Sequence, residues 1–164
     1  MKILFFLLSI TVIVNAQYYI SPDGNDNNDG SIYSPFLTIR KAFDAVKTKG
    51  DTIYIREGSY AQNSTLETPI SGSEAATKNL WAYPGEHPII DGEKFSAGPD
   101  RPQGLVVINS KSYIKVIGFE IRNIVLSKRN ILPSGIWLYG ELNHVEILNN
   151  IIHTIQQTAD KSGA

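Results

Sequence analysis

The 164-residue sequence contains no cysteine. Disulfide staples and thiolate metal ligands are therefore excluded, as is a lipid-modified cysteine behind an export signal. Stability must come from core packing and backbone ladders. Net charge is also scarce: 15 Lys and Arg stand against 16 Asp and Glu, a formal −1. That balance argues against nucleic acid or anionic membrane as the main partner. Long apolar runs are few. The most prominent, Ile3 to Val14, is softened by Ser9 and Thr11 and is too short to span a bilayer. No Ser-His-Asp constellation, HExxH motif or phosphate loop is present.

The early apolar run has a different reading. Lys2 precedes it, and Val14-Asn15-Ala16 follows with small residues at the two positions a signal peptidase inspects. We expect residues 1–16 to be a signal peptide, with a secreted or periplasmic mature segment starting at Gln17. Without Lys2, 14 basic residues face 16 acidic ones, a net −2. The sequon Asn63-Ser64-Thr65 has meaning only in a eukaryotic source.

An internal repeat dominates what remains. Ile114 to Ile124 and Val145 to Ile155 superpose at an offset of 31, with Ile114 on Val145, Val116 on Ile147, Ile121 on Ile152 and Ile124 on Ile155. At the same offset Gly104 to Ile108 falls on Gly135 to Tyr139, glycine on glycine. Three short apolar runs per unit, split by brief turns, describe a solenoid whose coils bury their faces only against neighbours. Ile53 and Leu80 start two earlier equivalent strands, giving spacings of 27, 34 and 31 along Ile53, Leu80, Ile114 and Val145. Residues 51–164 thus read as successive coils, with long loops at Asp91 to Gln103 and Val125 to Ser134.

Residues 17–50 read as a preface to the stack. Gln17 to Ile20 is a short strand, followed by a turn-forming stretch from Ser21 to Gly30. Ile39, Ala42, Phe43 and Val46 then repeat at helical spacing, with Thr38 as N-cap and Gly50 past the end. A lone amphipathic helix ahead of a solenoid is expected to cap its open apolar end. Asp23, Asn25 and Asn27 alternate like the start of a calcium loop, but Asn28 and Ser34 stand where that loop needs glycine and a bidentate Glu. They are a candidate metal site, with a turn built on Asx side chains as the alternative.

Several segments carry a family resemblance: Tyr19-Ile-Ser-Pro-Asp-Gly24 with Asn25 to Ser31, Ser34-Pro35, Thr38-Ile39 with Ala42, Gly50 to Ile55, Gly58-Ser-Tyr60, Ala82 to Glu86, and Ile90-Asp-Gly92. Together they resemble the start of secreted right-handed parallel β-helix proteins, the family-nine (pectate) polysaccharide lyases and their relatives. The resemblance implies an all-β, three-sheet parallel β-helix with an N-terminal capping helix. It also implies calcium-dependent β-elimination on a uronate-rich polysaccharide, by a monomer. The family's segment of the form Asn-Ala-Asp-Gly-Phe-Ala with a nearby Lys is absent here. The chain is therefore expected to be an inactive fragment of about three coils, whose catalytic centre lies beyond residue 164. A non-catalytic adhesin-like or carbohydrate-binding rod, or a glycoside hydrolase on the same scaffold, is the alternative.

On the first sheet, inward Ile136 and Leu138 would send Trp137 and Tyr139 outward, where aromatic rings could stack on sugars. Lys128 and Arg129 sit in the adjoining loop and could meet a carboxylate; a solvated charged loop is the plainer reading, and Arg101 has the same status. Asn149 and Asn150 form the tight turn before the third strand, where stacked amides in such folds bond along the axis. His144 and His153 read as polar-edge residues without a paired carboxylate, and Asp91 as a turn residue before Gly92.

Overall fold

The computed structural model describes residues 16–48, 50–96, 104–127 and 132–158, and the solenoid is what they form. The order opens with β1 (Gln17–Ile20), α1 (Ile39–Ala45), β2 (Thr52–Ile55), β3 (Ser59–Ala61) and β4 (Leu66–Glu67). A second coil holds β5 (Lys78–Ala82), β6 (Ile89–Asp91) and β7 (Gly104–Asn109), and a third holds β8 (Ile114–Ile117), β9 (Glu120–Leu126) and β10 (Ser134–Tyr139). The fourth has β11 (Val145–Leu148) and β12 (Ile151–Gln157). Three parallel sheets result: β1-β2-β5-β8-β11, β4-β7-β10 and β3-β6-β9-β12. Ile114 lies directly on Val145, and Ile121 on Ile152, so the offset of 31 is the physical rise of one coil on two of the sheets.

The third sheet differs by one residue. Ser134 pairs with Gly104, Ile136 with Val106 and Leu138 with Ile108, an offset of 30 rather than 31. The expected glycine-on-glycine register therefore fails. A one-residue shift exchanges the two faces of a strand, and here it sets Ile136 and Leu138 over the core residues Val106 and Ile108. The spacing between the first coils is likewise corrected: Leu80 stands on Val116, not Ile114, which instead covers Lys78.

Inward columns carry the stability. Tyr60, Ile90, Ile121 and Ile152 stack through four coils, and the middle two are fully buried. Each such burial contributes roughly 1.5–3 kcal/mol. Ile152 is 44 % exposed because no described coil lies above it.

Corners repeat as faithfully as strands. Tyr113 and His144, Gly118 and Asn149, and Asn123 and Thr154 are each 31 apart, and all six have positive φ. Gly118 is needed for contact as well as conformation, since a Cβ there would sit 2.9 Å from that of Ala82.

At the amino-terminal end α1 covers the first coil with Ile39, Ala42 and Phe43, and the Thr38 side chain accepts the Lys41 amide as N-cap. The helix is shorter than its apolar spacing suggests, because Val46 already has an extended backbone at ψ 120°. Asp51 fixes this cap. Its carboxylate accepts the amides of Ala16, Lys47 and Thr48 and the Thr48 hydroxyl, and lies 3.5 Å from the Lys78 ammonium. Lys78 also donates to the Thr48 carbonyl, so the cap is tied to the second coil.

Candidate functional site

Outward-facing positions are what a rod of this kind can offer a ligand. On the sheet of β4, β7 and β10, Trp137 stands over Val107, which in turn covers Glu67. Tyr139 stands over Asn109, whose side-chain amide donates to the Glu67 carboxylate. Tyr139 is 37 % exposed and Trp137 half-buried. This sheet therefore presents an indole, a phenol, an amide and a carboxylate within two strands' reach. Such a mixture can stack on a sugar face and bond to its hydroxyls. Lys128 and Arg129, expected beside it, lie outside the described residues, as does Arg101.

A second constellation was not foreseen from sequence. On the sheet of β3, β6, β9 and β12, Asp91, Arg122 and His153 occupy one column on successive coils. Arg122 Nε is 3.1 Å from Asp91 Oδ2, and its Nη1 is 2.7 Å from Glu120 Oε1. The Asn123 amide donates to both oxygens of Asp91, which also accepts the Glu93 amide. His153 Nε2 lies 3.1 Å from the Glu120 oxygen that Arg122 engages. Asp91 is thus a buried strand residue rather than a turn residue, and His153 does have a carboxylate partner. Those partners are 31 to 33 residues apart, so only the coil register brings them together.

The electrostatics of that network argue for a clamp. Burial pushes the Asp91 carboxyl up, but the Glu93 amide, Arg122 and Asn123 outweigh it, and the group lies below its ordinary range. Hydrogen bonds from His153 and Arg122 draw Glu120 down as well. An acid–base pair needs two groups whose environments drive them apart. Here both carboxyls are held ionised on one guanidinium, so neither is poised to donate a proton.

The other predicted residues have local partners. Asn25 Oδ1 accepts the Asn27 amide, and the Asp23 amide donates to the Ser21 hydroxyl. Asp26 accepts the amides of Leu37 and Thr38 and the Thr38 hydroxyl. These are Asx-type turn contacts. Among the described residues no group of three or more His, Cys, Asp or Glu could hold a metal ion. Asn149 takes the positive-φ corner, while Asn150 reaches across coils: its amide accepts from the Phe119 N–H and donates to the Val116 carbonyl. The bond runs along the axis, but to backbone, because the coil below has Gly118-Phe119 in place of an Asn pair.

With this geometry in view, a family model described as the Pel9A-like, right-handed beta helix region matches residues 18–161. The chain belongs to the Pel9A-like right-handed β-helix family. This Pel9A-like chain is 32 % identical over 146 residues to uncharacterised protein YwoF of Bacillus subtilis, covering 89 % of the chain and 30 % of that relative. It is 33 % identical over 126 residues to pectate lyase PEL9 of Emericella nidulans, covering 72 % of the chain and 30 % of the enzyme. The chain thus spans about a third of the length of these curated relatives. A solved GH136 lacto-N-biosidase of Eubacterium ramulus superposes with a TM-score of 0.70 at 20 % identity, over 85 % of the chain and 27 % of that structure, which speaks to the fold alone.

Proposed function

We propose that this protein is an exported, polysaccharide-binding β-helix and that, with a full set of coils, it cleaves a uronate-rich glycan by β-elimination. The observation that carries the reading is the similarity to a pectate lyase, combined with the outward Trp137 and Tyr139 on the sheet of β4, β7 and β10. Export rests on the apolar run from Ile3 to Val14 and the Val14-Asn15-Ala16 site. Among the described residues no helix is long and apolar enough to cross a membrane. Calcium belongs to the proposal for the whole enzyme only. We place its ligands and the proton-abstracting base on coils above the fourth, whose apolar Leu148 and Ile152 are open to solvent.

A non-catalytic carbohydrate-binding rod is the second reading, favoured by the outward Trp137 and Tyr139, which need no reactive group to hold a glycan. Affinity electrophoresis in polygalacturonate and in a neutral galactan separates the readings from no function at all. Retardation by the acidic polymer, weakened several-fold by Trp137→Ala or Tyr139→Ala, is expected, since one stacked ring contributes about 0.5–1.5 kcal/mol beyond its area. Equal mobility in both gels would overturn the glycan assignment.

A further inference from the structure

We propose a second sugar site at the amino-terminal end of the rod: a cleft that takes a short acidic oligosaccharide. The cleft has a volume of about 580 Å³ and lies between the entry to α1 and β3. That volume is within the roughly 300–1,000 Å³ of small-ligand sites. It is on a different sheet from Trp137 and Tyr139.

Its lining points to the ligand. Among the described residues two cations, Arg40 and Lys94, line it, and no carboxylate does. Arg40 is pre-positioned, its guanidinium donating to the Ser64 hydroxyl at 3.2 Å and to the Thr65 carbonyl. Lys94 forms no ion pair among the described residues. Glu93 and Asp23 adjoin the lining residues Lys94 and Pro22 in sequence, but among the described residues neither forms an ion pair with Arg40 or Lys94. A guanidinium held by two hydrogen bonds, with an unpaired ammonium in the same lining, suits a carboxylate on a small rigid ring.

The remaining walls suit the rest of a sugar. Gln62 donates one amide hydrogen to the Tyr60 carbonyl, which leaves its oxygen available to accept. Asn63 and Ser64 add exposed polar groups at the edge. Leu37, 43 % exposed, and Pro22 provide an apolar wall for the C–H face of a pyranose. Nucleotide or phosphopeptide ligands would gain less here, since the cleft offers neither an exposed aromatic plane nor an arginine cluster.

The site would let the rod hold one glycan segment at its tip while another lies along its sheet. It shares only its preference for uronates with the proposed catalytic function, so the two can fail separately. The test is an NMR titration of the protein with tri-galacturonate and with neutral galacto-oligosaccharide of equal length. Shifts at the amides of Ser59 to Ser64 and Lys94 with the acidic trimer alone are expected. Lys94→Gln should weaken this binding about tenfold with an unchanged melting curve, and Trp137→Ala should leave it intact. Equal response to the neutral trimer, unchanged affinity in Lys94→Gln, or loss of the cleft shifts in Trp137→Ala would each overturn the proposal. A Gln62→Ala variant, expected to weaken binding without altering its salt dependence, guards against a purely ionic contact; unchanged affinity there would also count against the site.

Discussion

Replacing Asp51 by Asn should damage this protein more than any surface change of the same size. The Asp51 side chain is 1 % exposed and the Lys78 side chain 5 %, so neither charge can turn to water when its partner is lost. Burial pushes the Asp51 carboxyl up, but the Thr48 hydroxyl and amide, the Ala16 amide and the Lys78 charge outweigh that, and it stays ionised in the fold. Asn keeps the volume, removes the charge, and turns one acceptor into a donor facing backbone amides. Breaking one half of a buried pair costs about 3–5 kcal/mol. Orphaning buried amides, at ~1–3 kcal/mol each, leads to the same range. At ~2–4 °C per kcal/mol for a chain of this size, the melting temperature should fall by roughly 6–20 °C. Circular dichroism melts would measure it, with hydrogen exchange at β1 and β2 locating the loss at the cap. Asp44→Asn, exposed on α1, is the control. Adding Lys78→Met to the Asp51→Asn variant should recover part of the loss by removing the stranded charge. A single variant within ~1 kcal/mol of wild type would refute the reasoning.

Ile121→Ala, in the fully buried column between Ile90 and Ile152, should cost ~2–5 kcal/mol in chemical denaturation. Asn150→Ala removes both axial hydrogen bonds to the third coil and should cost about 1–3 kcal/mol, with faster amide exchange at Phe119. Acid should destabilise the fold through Asp51, Asp91 and Glu86, all held below their ordinary ranges. Because their folded values are depressed, their contribution is complete above the unfolded values near ~4 and disappears as pH falls below them. Stability should therefore be flat from about pH 5 to 7 and drop steeply under pH 4; a flat profile through that drop would contradict the assignment.

Much of the architecture was legible because a solenoid writes its period into the sequence. Ile114, Ile121 and Ile124 recur one coil later as Val145, Ile152 and Ile155, and the register follows that recurrence. The capping helix was readable from Thr38 and its apolar spacing, though not its early end at Val46. Strand β3 was not, since Ser59-Tyr60-Ala61 has one apolar ring and no alternation to read. The slip to 30 on the sheet of β4, β7 and β10 escaped notice because Gly104 to Ile108 is apolar at every step and so marks neither face. The Asp91–Arg122–Glu120–His153 network was hidden for a related reason. Charged residues that meet only across a coil have no local pattern, and their spacing becomes visible once the register is fixed. Trp137 and Tyr139 could be assigned a face because the residues that alternate with them, Ile136 and Leu138, are aliphatic. The part in glycan binding proposed for them depends on coils and loops that the sequence motif does not describe.

The most direct measurement is the ultraviolet absorbance of unsaturated uronide ends released from polygalacturonate by the chain extended through the coils its relatives carry. The account predicts that this absorbance grows with calcium present, stops on chelation, and is absent for the 164-residue chain alone. New reducing ends without the absorbance, or full turnover in the presence of chelator, would contradict it.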